Sequence, residues 1–121
     1  MFLATINHSR ALLYICYIGH VTAADLQRGA ADLEKLLPNL KPGFHLLADL
    51  SRVDEMDLAC VQEIGKTMEL LERHQVGQIV RVVPDAGKDI GFNIISAFHY
   101  KKRPRAATCE TMQEAAQLLS L

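Results

Sequence analysis

The sequence predicts an α/β domain built on a mixed, mostly parallel sheet of about five strands with about four helices. Three observations carry that expectation. Short apolar runs alternate with stretches whose apolar residues recur every three or four positions, the pattern of a sheet connected through helices. Gln78 to Val83 is nearly continuously apolar, as in strands covered on both faces. The chain has 121 residues, the size of one compact domain spanning 1–121 that buries a core without metals or disulfides.

Phe2 to Ile6 and Ala11 to Ile18 read as two strands joined by the turn-prone Asn7-His8-Ser9, the second rich in Ile and Tyr. Thr22 then precedes Leu26, Ala30, Leu33 and Leu37, an amphipathic spacing, with Asp25 placed to complete a capping box. Pro38 and Pro42 stop that helix. A strand from Phe44 to Leu50 follows, and a second helix opens at Asp57, with Val61, Ile64, Met68 and Leu71 facing inward. Gln62, Lys66, Glu69 and Arg73 take its outer face. Gln78 to Val83 forms a strand ended by Pro84-Asp85, and a helical stretch runs from Lys88 to Tyr100. Ala106 to Cys109 gives a last short strand, and Thr111 with Glu114 makes a capping box for Met112, Ala115, Ala116 and Leu119. Strands joined through helices run parallel, so only the first is free to be antiparallel.

Composition excludes several classes. Basic and acidic side chains balance at 13 against 14, which gives no global attraction to nucleic acid. The longest apolar run, Ala11 to Ile18, is too short to span a bilayer, and Met1-Phe2-Leu3 lacks the basic lead of a signal peptide, so a cytoplasmic location is expected. Cys16, Cys60 and Cys109 make no CxxC and read as buried structural thiols. The five histidines are dispersed without the i, i+4 spacing of a helical metal site, and no nucleophile motif or phosphate-cradling glycine loop is present. No cofactor, metal or enzymatic activity is therefore expected.

The centre of the chain is its most specific part. Phe44-His45-Leu46-Leu47-Ala48 runs into Asp49-Leu50-Ser51 and then into the helix start at Asp57. This resembles STAS domains, the sulfate-transporter and anti-sigma-factor-antagonist family, in a divergent, SpoIIAA-like form; they carry Asp-Leu-Ser after the third strand and Asp-Ser-Ser-Gly or Asp-Ser-Thr-Gly at a helix start. The element order and the closing Glu110 to Leu119 extend the resemblance over almost the whole chain. It implies the STAS-like fold and a non-enzymatic, signalling role in protein–protein interaction, the partner being a regulatory kinase, an anti-sigma factor or a second copy of the chain. In the second motif Leu58, Ala59 and Cys60 follow Asp57, so the hydroxyl that anti-sigma antagonists have phosphorylated is missing.

Candidate sites follow from both readings. Leu58 stands where the resemblance puts the phosphorylated serine. Ser51 is a candidate phosphorylation site, expected near a helix N-terminus that favours added negative charge. On the Ile90 to Tyr100 stretch, Ile90, Ile94, Ala97 and Phe98 make one apolar face and Phe92, Ile95 and His99 another. In a small two-layer domain the second face is either wedged deeply or kept for another molecule. The resemblance gives that surface a use, with Leu58, in partner binding or dimerisation. Lys101, Lys102, Arg103 and Arg105 form a basic loop suited to an anionic lipid head group or a nucleotide, a ligand-binding alternative that predicts a cavity. Asp49, Asp54, Glu55 and Asp57 gather around one strand end in the manner of a phospho-receiver. The positions of a receiver's acidic pair and lysine hold Gly19-His20 and Cys109-Glu110, so the simpler expectation is that Asp54 or Asp57 caps the second helix.

Overall fold

A computed structural model describes residues 1–83 and 105–120. Five strands form one sheet in the order β1-β2-β3-β4-β5: Phe2–Asn7, Leu12–Val21, His45–Met56, Gln78–Val82 and Arg105–Cys109. Within this sheet the β1–β2 pair is antiparallel, and the β2–β3, β3–β4 and β4–β5 pairs are parallel. Three α-helices lie among the described residues: α1 (Ala23–Leu36), α2 (Cys60–Arg73) and α3 (Met112–Leu118). The helical stretch expected from Lys88 to Tyr100, which would be a fourth, lies outside them.

The alternation of strand side chains sorts the core into two faces. Leu13, Ile15 and Tyr17 of β2, Leu46, Ala48 and Leu50 of β3, and Ile79 of β4 meet Leu26 and Leu33 of α1 and Ile64, Met68 and Leu71 of α2. The intervening positions, Leu12, Leu47, Val80 and Val82, point the other way and pack with Cys109, Ala115 and Leu119. Apolar packing on both faces replaces the expected two-layer arrangement, and it explains why Gln78 to Val83 reads as a nearly continuous apolar run.

Local chemistry sets the element ends. The Thr22 hydroxyl accepts from the Asp25 N–H at 3.2 Å while the Asp25 carboxylate accepts from the Thr22 N–H at 3.0 Å, completing the capping box of α1. Its end at Leu36 passes into a 3-10 turn containing Pro38. Gly29, not Ala30, is the buried small residue of α1, pressed against the Phe2 ring. At α3 half of the capping box forms: Thr111 Oγ1 accepts from the Glu114 N–H at 3.1 Å, and the Glu114 carboxylate accepts from the same hydroxyl.

Three expectations need correction. The third strand continues past Leu50 to Met56, because β2 continues beside it to Val21; two register shifts, between Cys16 and Ile18 and between Gly19 and His20, each insert an extra residue on the β3 side. The second helix begins at Cys60, and its N-cap is Ala59 without a side-chain hydrogen bond, so neither Asp54 nor Asp57 caps it. The Asp57 and Leu58 carbonyls instead accept from Cys60 and Val61 in a preceding turn. Val61 is 48% exposed, and Cys60, fully buried with its thiol directed at the Val21 carbonyl at 3.3 Å, takes the inward place.

Candidate functional site

The end of the β2–β3 ladder and the turn into α2 form one corner of the molecule. Asp57 is tied there by its N–H, which donates to the Val21 carbonyl at 3.1 Å. The next residue, Leu58, is 88% exposed, and Val61, one turn later, is also solvent-facing. The Leu58 carbonyl accepts from the Val61 N–H at 3.1 Å, and the Leu58 side chain projects from the turn and leaves the core to Cys60 and Ile64. Two exposed apolar side chains at i, i+3 share one side of the α2 start.

Beside them, His20 Nε2 lies 2.5 Å from Asp57 Oδ1, with both side chains about half exposed. That hydrogen bond, followed by the charge of Asp57 and the weaker fields of Glu55 and Asp25, holds the imidazole above its ordinary value. Glu55 is the register partner of His20 across the ladder. Sequence reasoning assigned His20 no role, because the contact depends on the β3 register and leaves no spacing signal along the chain.

The carboxylates grouped by sequence therefore divide. Asp49 is buried on the α3 face of the sheet, where it accepts from the Tyr14 hydroxyl at 3.0 Å, the Ser51 N–H at 2.9 Å and the Ser51 hydroxyl at 2.6 Å. Burial, followed by the hydrogen bonds to Cys16 and Asp49, pushes the Tyr14 hydroxyl well above its ordinary pKa. Ser51 sits within β3, its hydroxyl engaged by Asp49, while α2 packs on the opposite face. Asp49 belongs to this network, and Glu55 and Asp57 belong to the corner with His20.

Of the remaining candidates, Arg105 begins β5 and is exposed. Phe92, Ile95, His99, Lys101, Lys102 and Arg103 lie outside the described residues. Cys16, Cys60 and Cys109 are free and buried, and burial raises the Cys60 and Cys109 thiols above their ordinary values. No helix of the described residues is long and apolar enough to cross a membrane. A crevice between α2 and the sheet, lined by Tyr17, Thr67, Met68 and Arg81 among others, has a volume of about 30 Å³, room for a water molecule or two.

Neither a family model nor a curated protein matches this chain. Solved structures do. An uncharacterized protein of the DUF3478 family from Shewanella loihica PV-4, described as having a SpoIIAA-like fold, superposes with a TM-score of 0.72 at 14% identity, over 98% of this chain and 92% of that one. The anti-sigma factor antagonist SpoIIAA in its unphosphorylated form gives 0.69 at 16% identity over 99% and 98% of the two chains. An anti-sigma factor antagonist from Mycobacterium paratuberculosis gives 0.62 at 12% identity, over 100% and 94%. The strand order, the helices on both faces and these superpositions over nearly full length establish that the chain has the divergent STAS, or SpoIIAA-like, fold.

Proposed function

We propose that this chain is a non-enzymatic regulatory module that docks another protein through the corner where β3 passes into α2, with Leu58 at its centre and Val61 beside it. The observation that carries the reading is the 88% exposure of Leu58. A leucine held in water by a tight turn gains about 1.5–3 kcal/mol when a partner covers it. Anti-sigma factor antagonists share the fold, which favours a regulatory kinase or an anti-sigma factor as the partner class and the cytoplasm as the setting. Leu58, Ala59 and Cys60 offer no hydroxyl at the head of α2, so the interaction is constitutive there, without a phosphorylation switch at that turn. Ser51 serves in this reading as a structural hydroxyl for Asp49. The Phe92, Ile95 and His99 face, expected from sequence to act with Leu58, lies outside the described residues, so the reading rests on Leu58 and Val61.

The test is Leu58→Asp. The variant keeps the thermal stability of the parent to within about 0.5 kcal/mol, since an exposed side chain is changed. A partner recovered with the parent chain from native extract binds it at least about tenfold more weakly. Sedimentation of the purified chain separates a foreign partner from a second copy. Equal affinity of parent and variant for the recovered partner contradicts the assignment of this corner.

A further inference from the structure

Three chelating side chains from separate backbone positions converge at the end of the β2–β3 ladder. The register shift between Gly19 and His20 passes over Asp54 and sets Glu55 opposite His20, while the Asp57 N–H is fixed to the neighbouring Val21 carbonyl. Bulges re-aim side chains in this way beside functional sites. One atom each from the His20 imidazole, the Glu55 carboxylate and the Asp57 carboxylate lie within 4.8 Å of one another. We propose that His20, Glu55 and Asp57 form a binding site for a divalent first-row transition metal, with Zn²⁺ the best match.

The donor set selects the metal. Two carboxylates alone would suit Mg²⁺ or Ca²⁺, whereas an imidazole nitrogen among them favours Zn²⁺ and its neighbours. Zn–N and Zn–O bonds of about 2.0–2.2 Å place tetrahedral ligand atoms about 3.3 Å apart. To reach that spacing the His20–Asp57 pair, now 2.5 Å apart, opens to admit the ion, and the remaining separations, all within 4.8 Å, adjust on side chains that are exposed or half-exposed. Charge favours the ion as well: with a neutral imidazole the three ligands carry two negative charges. Asp25, the other acidic group near His20, is already paired to Arg28 at 2.5 Å and to the N-terminal amine at 3.4 Å. An open groove of about 630 Å³, lined in part by His20, Asp25 and Arg28, adjoins the cluster and gives an ion and its waters access. Three protein ligands leave at least one position for water, the arrangement of an open rather than a closed structural zinc site.

The test is calorimetric titration of the untagged, metal-free full chain with Zn²⁺ at about pH 7.5, paired with NMR of the histidine ring protons. The expected result is one saturable Zn²⁺ per chain with the His20 signals shifted on binding. His20→Ala and Asp57→Asn each weaken affinity at least about tenfold, and His8→Ala, an exposed histidine outside the cluster, leaves it unchanged. Circular dichroism confirms that the variants are folded. Absence of saturable binding, unshifted His20 signals, or parental affinity in either cluster variant overturns the site.

Discussion

At the scale of single residues, Gly77 shows how much the chain depends on close backbone approach. A Cβ there would stand 2.7 Å from the Gly43 carbonyl oxygen and 3.0 Å from its carbon, so the obstacle is main chain and cannot rotate away. The same contact lies beside two crossing bonds, from the Gly43 N–H to the Gln75 carbonyl at 2.7 Å and from the Gly77 N–H to the Phe44 carbonyl at 2.8 Å. Gly77→Ala is therefore expected to destabilise by about 1–3 kcal/mol, read as a lower urea midpoint with unchanged slope. The sequence marks Gly77 only as a helix stop; its partner, 34 positions earlier in the chain, is legible only after folding. The same limit applied to the candidate site. Asp49, Asp54, Glu55 and Asp57 are close in sequence, yet Asp49 is buried behind the sheet with Tyr14 and Ser51, and His20 joins Glu55 and Asp57 from another strand. Leu58 is named from sequence only as a position; its exposure follows from the turn and is not legible along the chain.

At the scale of elements, the two longest helices of the described residues begin differently. Helix α1 has a complete capping box, so Thr22→Ala should cost about 1 kcal/mol in thermal or chemical unfolding. Asp25 is the other half of the box, and the hydrogen bond it accepts from the Thr22 N–H holds its carboxyl below the ordinary aspartate value. Because the folded state then takes up this proton less readily than the unfolded chain, the contribution is fully present above the unfolded value near pH 4. It is lost as pH falls through the lower folded value. The drop in urea midpoint between about pH 7 and pH 3 is thus expected to be smaller in Asp25→Asn than in the parent; an unchanged drop would show that this carboxylate does not couple folding to pH. The α1 box was readable because Thr22 and Asp25 stand three apart before an amphipathic run. At α2 the same reasoning failed, since the two bulges carry β3 on to Met56 and delay the helix to Cys60. A bulge adds a residue without changing composition. The apolar alternation from Leu46 to Leu50 therefore breaks before Val53, and the strand reads as finished.

At the scale of the whole molecule, most of the architecture was written in the hydrophobic pattern. Alternating apolar runs and amphipathic stretches indicate the order of the described elements, and the nearly continuous apolar character of Gln78 to Val83 indicates a strand covered on both sides. What the pattern leaves open is which residues meet on the second face: Val80 and Val82 pack with Cys109, Ala115 and Leu119, a set drawn from three elements that share no spacing along the chain. The fold places two apolar residues, Leu58 and Val61, in water at the corner that also carries His20, Glu55 and Asp57, where in the proposed reading a protein partner docks. Site-specific photo-crosslinking in native extract probes that docking, with a benzophenone side chain placed at position 58 or, as a control, at the exposed Glu34 position on α1. A discrete heavier adduct is expected from position 58 and not from position 34; the same adduct pattern from both positions, or none from position 58, would exclude docking at this corner.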